Sequence, residues 1–276
     1  MWCIQSATMF GMDPKALASR VRRLQSWMES RASSPTWSRQ QFDRPPFGYA
    51  EVTIDAASNS PAASYNRNQI CLCGSEGGLT RDGLTEMIRL FDAQRVKRFF
   101  VWLSPGPDIE VVREWLGALG FVKVPWTRYP TLAHGGQPLD SVATHLMIRE
   151  VGRDEVASAL SRLGEAIMDG YAESVGREGF HHYMAFDSSQ PVAVAALVRF
   201  EDIGYLTFAG TVESFRRRGA QSALIAHRLA QARALGCTQI VSQTLTMLAD
   251  SFANLQRAGF REIYEQEVFE MVRPRL

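Results

Sequence analysis

The sequence predicts an α/β (α+β) fold built as two related halves, and three observations lead there. Residues 84–132, LTEMIRLFDAQRVKRFFVWLSPGPDIEVVREWLGALGFVKVPWTRYPTL, can be laid over residues 224–272, LIAHRLAQARALGCTQIVSQTLTMLADSFANLQRAGFREIYEQEVFEMV. Each reads helix, turn, apolar strand, loop, helix, Gly-Phe, strand, the kind of self-similarity that marks a repeated unit. Three β-rich runs, FHHYMAF, PVAVAALVRF and GYLTFAGTV, are separated by short polar turns and read as an antiparallel meander. The last of them runs through a short basic turn into an alanine- and leucine-rich helix.

In chain order, Asp13 is the N-cap and Pro14 the first residue of a helix with Leu17, Val21, Leu24 and Met28 on one face. Residues 32–46 and 56–64 lack apolar periodicity and read as loops. YAEVTI at 49–54 and NQICLC at 68–73 are short strands. Gly77, Gly78 and Thr80 introduce a helix with Leu84, Ile88 and Phe91 on one face, and VKRFFVWL follows as a buried strand. Gly120 and Gly259 each precede a phenylalanine at a helix end, where a left-handed C-cap glycine and a hydrophobic anchor belong. The turn-rich AHGGQPLDS at 133–141 divides the chain into domains 1–140 and 141–276. Beyond it, VATHLMIREV opens as a strand and residues 152–172 make one or two helices.

A chain of 276 residues with 46% hydrophobic content predicts a soluble globular protein. Thirty basic and 29 acidic side chains leave a net charge of +1, which argues against nucleic-acid and membrane partners. Cys3, Cys71, Cys73 and Cys237 fit neither a disulfide framework nor zinc-site spacing, so no metal and a cytoplasmic location are expected. MWCIQSATMFGMDPK lacks the pattern of a signal peptide, and no apolar run approaches the ~18 residues of a membrane helix.

The stretch FRRRGAQSALI carries the functional signal. Its strand gives way almost at once to a helix expected near Ser222, which frees the intervening amides. Free amides at a positive helix end, a permissive Gly219, and the mobile charge of Arg216, Arg217 and Arg218 suit a polyphosphate. A solvated basic turn capped by Ser222 is the competing reading. Neither a Walker nor a G-x-G-x-x-G phosphate loop is present.

What remains, Val212, Arg216, Gly219 and Ala220 between strand and helix, resembles the pyrophosphate-binding motif of the GNAT superfamily of N-acetyltransferases, whose usual form is R/Q-x-x-G-x-G/A. Gln221 stands where glycine or alanine is usual. The resemblance covers residues 142–276 and includes Ser251, Asn254, Gly259 and Phe260. The first half resembles a degenerate copy, because CLCGSEGGLTRDG holds no arginine–glycine loop before Thr80. The resemblance implies a tandem GNAT: two domains, each a mixed, largely antiparallel sheet flanked by helices, with one acetyl-CoA per chain.

It also implies acetyl transfer from acetyl-CoA to a primary amine by direct attack in a ternary complex, the acceptor being a small molecule. The donor would lie along Gly210, Thr211 and Val212, with an amide near Val212 receiving the oxyanion. Its pyrophosphate would meet residues 216–218, Gly219, Ala220, Gln221 and Ser222, and Asn254 would bond its arm. Relatives place an acidic tyrosine where this chain has Leu255, so Tyr264, Glu213 and His182 are the remaining catalytic candidates. Each has a bland counterpart: packed aromatic, solvated turn residue, structural histidine. His181 points to the opposite face from His182. Tyr171 and Glu173 are acceptor-contact candidates, and Trp102, Trp115 and Trp126 are expected in the core. A catalytically inactive CoA-binding sensor or scaffold is the alternative, and a homodimer is one open option for assembly.

Overall fold

Asp13 starts the first helix as expected. Its side chain accepts from the Lys15 amide at 3.0 Å and its carbonyl from Leu17 at 2.9 Å. The computed structural model describes residues 13–30, 38–55, 68–74, 78–125, 128–137, 144–163 and 171–273. The predicted loop at 56–64, Gly77 and Trp126 lie outside them. The chain forms two units, one of Met1–Pro130 with Ile263–Leu276, the other of Thr131–Glu262.

In the first unit, α1 (Pro14–Ser30) buries Leu17, Val21 and Leu24, three of the four apolar positions picked out by periodicity. It is followed by β1 (Ser38–Asp43), β2 (Tyr49–Ile54), β3 (Gln69–Cys73), α2 (Arg81–Ala93), β4 (Arg98–Ser104), α3 (Ile109–Ala118) and β5 (Val122–Lys123). The sheet runs β1-β2-β3-β4 and is closed by β12 (Phe260–Val272), which also pairs with β5. Among the described residues of this unit, only the β3–β4 pairing is parallel. Phe99 stacks on Phe91 and meets Phe121 edge-on in the core of this unit.

β1 corrects the sequence reading, which placed a loop across 32–46. SRQQFD has no apolar alternation because this edge strand is largely exposed, and its six residues are held by backbone pairing to β2.

The second unit contains β6 (Tyr129–His134) from Thr131 on, β7 (Met147–Glu150), α4 (Arg153–Leu163), α5 (Tyr171–Ser174), β8 (Phe180–Asp187), β9 (Gln190–Phe200), β10 (Ile203–Thr211), α6 (Ala220–Ala234), β11 (Gln239–Gln243) and α7 (Ala249–Arg257). Strand order is β6-β11-β10-β9-β8-β7, and β10–β11 is the parallel pair. Alternation on β9 sends Ala193, Ala195 and Leu197 into the core shared with α6 and α7. Val194 and Ala196 enter the core shared with α4 and α5. A strand covered on both faces reads as the continuous apolar run PVAVAALV. α6 comes very close to β10: a Cβ on Gly204 would meet the Ala232 Cβ at 3.0 Å.

Each unit is thus completed by a strand from the opposite half of the sequence. β6, from the first half, pairs with β11 through Thr131, Leu132 and Ala133, while β12, from the second, pairs with β4 from Glu267 to Val272. This corrects the division at residue 140. The turn is there, but the strand before it and the last strand of the chain exchange partners.

Candidate functional site

The site begins where β10 leaves its parallel neighbour. The β10–β11 ladder runs from Ile203 to Leu206 and stops, the Ser242 hydroxyl donating to the Leu206 carbonyl at 2.9 Å beside the last pair. On its other edge β10 stays with β9, but the register shifts between Thr207 and Gly210, and Phe208 takes a left-handed φ of 49°. An extra residue in one strand bends it and re-aims its edge groups. The Val212 amide donates to the Val192 carbonyl at 3.0 Å. That amide is therefore engaged by β9, so an oxyanion donor near Val212 has to be a neighbouring amide. Alternation along the strand turns the Thr211 amide the other way, toward the side from which β11 has departed.

Past Val212 the chain makes a single 3₁₀ turn, Glu213–Phe215, then Arg216 in extended conformation. Arg217 (φ 61°) and Gly219 (φ 83°) are both left-handed, and α6 starts at Ala220. Ser222 lies inside the first turn of α6 and does not cap it; the N-cap is Gly219, with no side-chain bond to the helix end. The open amides and left-handed turn make a concave donor surface of the kind that holds anions. Arg216, Arg217, Arg218 and Gly219 are exposed, and Arg218 lies over the Phe215 ring at 4.9 Å. A Cβ on Gly219 would meet nothing within 4 Å, so the space above it is open.

Gln221 accounts for its own departure from the usual motif. Its Nε2 donates to the Gly210 carbonyl and to the Thr211 hydroxyl, both at 2.9 Å. The first turn of α6 is thereby tied to the end of β10. Gly210, Thr211 and Val212 are consequently held next to the arginine loop and the first turn of α6, Ala220, Gln221 and Ser222.

Other candidates fare differently. Asn254 sits half-buried on α7, its Oδ1 accepting from Arg257 at 2.5 Å, and Ser251 accepts from the Thr244 hydroxyl at 3.2 Å. Leu255, in the position of the relatives' tyrosine, is a core residue. Glu213 is exposed at the 3₁₀ turn. Tyr264 is buried on the portion of β12 that belongs to the first unit.

His182 is 1% exposed, with Nε2 3.0 Å from Ser174 Oγ and its ring edge-on to Tyr171. Burial, helped by the neighbouring His181, pushes its pKa down to about 4, so it is neutral near pH 7. That is the profile of a structural histidine. His181 faces the other way, against Glu150 at 3.0 Å. Tyr171 is fully buried, donating to the Tyr183 carbonyl at 3.2 Å, and Glu173 is exposed. Trp102 is buried on β4, and Trp115 packs against the core of the first unit.

Two features escaped the sequence reading. Arg228 is buried in the middle of α6 with its guanidinium on the strands beneath. Tyr205, Gln243 and Thr131 form a hydrogen-bonded chain near the point where β10 and β11 part.

The first unit shows why its corresponding helix end differs. Thr80 caps α2, its hydroxyl accepting from the Gly83 amide at 3.1 Å, and its own amide donates to the Pro46 carbonyl at 2.8 Å. A Cβ on Gly83 would lie 2.0 Å from that carbonyl oxygen. The end of α2 is covered by its own chain. Among the described residues no group of three or more His, Cys, Asp or Glu gathers as a metal site, and no helix is long and apolar enough to cross a membrane.

Residues 149–260 match the Acetyltransferase (GNAT) family. Comparison with curated protein sequences produced no match. Among solved structures, a GCN5-related N-acetyltransferase from Kribbella flavida is similar at 18% identity and a TM-score of 0.63, with 94% of this chain and 96% of that one covered. A tandem GNAT protein from the clavulanic acid biosynthesis pathway is similar at 10% identity and a TM-score of 0.61, covering 90% and 87%. A GCN5-related N-acetyltransferase from Sphaerobacter thermophilus has 13% identity and a TM-score of 0.55, covering 82% of each chain. At these identities the likeness is one of fold.

Proposed function

We propose that the protein, whose residues 149–260 match the Acetyltransferase (GNAT) family, transfers an acetyl group from acetyl-CoA to a primary amine of a small molecule, by direct attack in a ternary complex. The observation that carries this is the path of β10. After Leu206 it parts from β11 and runs through the arginine loop into a helix end with no side-chain cap. The opened strand edge suits an amide-bearing pantetheine arm, and the open amides and exposed arginines suit a pyrophosphate.

Acetyl-CoA supplies an activated acetyl thioester. The chain's residues would hold and orient it: Arg216, Arg217, Arg218 and the amides of Gly219, Ala220, Gln221 and Ser222 at the phosphates, the edge of Gly210 and Thr211 along the arm, and Asn254 beside it. The new C–N bond forms at the acetyl carbon as the C–S bond breaks, and the proton lost by the amine balances the departing thiolate. A strand-edge amide directed at the carbonyl oxygen stabilises the charge that develops there. Positioning and exclusion of water account for much of such a rate gain without a dedicated base.

The test is thermal unfolding with and without acetyl-CoA, on the wild type and on Gly219→Trp. In the ligand-free protein a Cβ on Gly219 meets nothing within 4 Å, so the expected added cost is that of a left-handed non-glycine residue, about 1 kcal/mol. Acetyl-CoA at a hundredfold above Kd should raise the wild-type transition by about 5 °C. The variant should keep its own transition and lose the rise. No rise in the wild type at millimolar ligand removes the proposal.

A second reading, a CoA-binding sensor or scaffold without turnover, is favoured by three placements: Leu255 in the core, Glu213 in solvent and His182 sealed from it. Consumption of acetyl-CoA across a panel of small amines separates the two.

A further inference from the structure

The buried face of α6 runs Ala220, Ala223, Leu224, Ile225, Arg228, Leu229 and Ala232, an arginine in an otherwise apolar stripe. Arg228 is 2% exposed. Its Nε donates to the Leu224 carbonyl one turn earlier at 3.1 Å, which anchors the guanidinium to its own helix. Its Nη1 donates across the sheet, to the Ala196 carbonyl on β9 at 3.0 Å and the Thr207 carbonyl on β10 at 3.2 Å.

Those two carbonyls belong to one ladder pair, Thr207 with Ala196, the last before the register shifts. The next residue, Phe208, has its φ at 49°, in the left-handed region that a bulky side chain enters only when its surroundings hold it there. The arginine thus grips both strands at the root of the bulge. Two residues past the shifted region, Thr211 is back in register with Ala193, with Gln221 holding its hydroxyl. A one-residue slip at the bulge would exchange the edges to which the amides of 209–211 point.

We propose that Arg228 is a positioning residue for acyl transfer: by bridging Ala196 and Thr207 it keeps β10 bulged, so that the Thr211 amide faces the opening left by β11, where the thioester carbonyl is received. This rests on the acetyl-CoA reading above and assigns a role to a residue that touches neither donor nor acceptor.

The prediction separates the acetyl group from the rest of the donor. Calorimetric titration of the full chain with acetyl-CoA and with CoA should show a wild-type preference for acetyl-CoA. Arg228→Met should weaken acetyl-CoA about tenfold, the effect of one misplaced hydrogen bond, while leaving CoA within about twofold. Arg228→Lys, which keeps a cation and can reach one carbonyl, should fall between and serves as the readout if the methionine variant does not fold. Amide exchange in peptides covering 205–213 should accelerate in either variant, with the first turn of α6 unchanged.

Equal loss of both ligands, as a purely structural residue would cause, overturns the proposal. So does a wild type with no preference, or unchanged exchange across 205–213. A wild type that binds neither ligand removes the acetyl-CoA reading itself and this proposal with it.

Discussion

At the residue scale, burial separates the groups that titrate usefully from those that hold the fold. His182 lies between Ser174 and Tyr171, and its folded pKa, about 4, is below the ordinary 6.5. Its neutral form is what the fold accepts. The contribution is therefore fully present above pH 6.5 and is lost as pH falls toward 4, because the unfolded chain binds the proton first. The swing amounts to about 3 kcal/mol. His182→Gln should unfold at a transition temperature that depends less steeply on pH between 4 and 6.5 than the wild type's; parallel curves would assign the dependence to other groups. Cys71 is inert by the same physics, burial pushing its thiol up to about 12. Arg228 could have been noticed in the sequence, since it falls four residues after Leu224 and beside Leu229 on the apolar face of its helix. What it bonds to could not, because Ala196 and Thr207 come near it only through the sheet.

At the element scale, local chemistry made most boundaries readable. Asp13 and Thr80 start helices through side-chain bonds to amides two and three residues on. Gly120 and Gly259 end helices in the left-handed region, at φ 90° and 88°. β1 was not readable, because an exposed edge strand needs no apolar alternation and its stabilisation comes from a partner's backbone. The start of α6 was displaced for a related reason: Gly219 supplies the turn, so the helix needs no serine at its cap. β12 carries the sharpest prediction. Its pairing with β4 runs over six residues and it buries Val268 and Phe269. A chain ending at Glu262 should lose amide-exchange protection across β4 and show a lower, broader unfolding transition. Protection of β4 equal to that of the intact chain would mean that the strand is dispensable.

At the scale of the whole molecule, the two units differ in what their corresponding helix ends can offer. α6 begins with an open, positively framed donor surface, whereas α2 has its first amides taken by Thr80 and covered by Pro46. Titration of the full chain with acetyl-CoA should accordingly give one site per chain, and a stoichiometry of two would show that the first unit binds donor after all. The sequence by itself determined the repeat, the order of elements, the mixed sheets and the arginine–glycine loop, because each of these rests on periodicity, turn chemistry or contacts between near neighbours in the chain. The exchange of β6 and β12, the plugging of α2, the engagement of the Val212 amide by β9 and the grip of Arg228 on the bulge were decided only by tertiary structure. Backbone hydrogen bonds between strands carry no side-chain signature, so a sequence shows that a strand will form well before it shows which partner the strand will take.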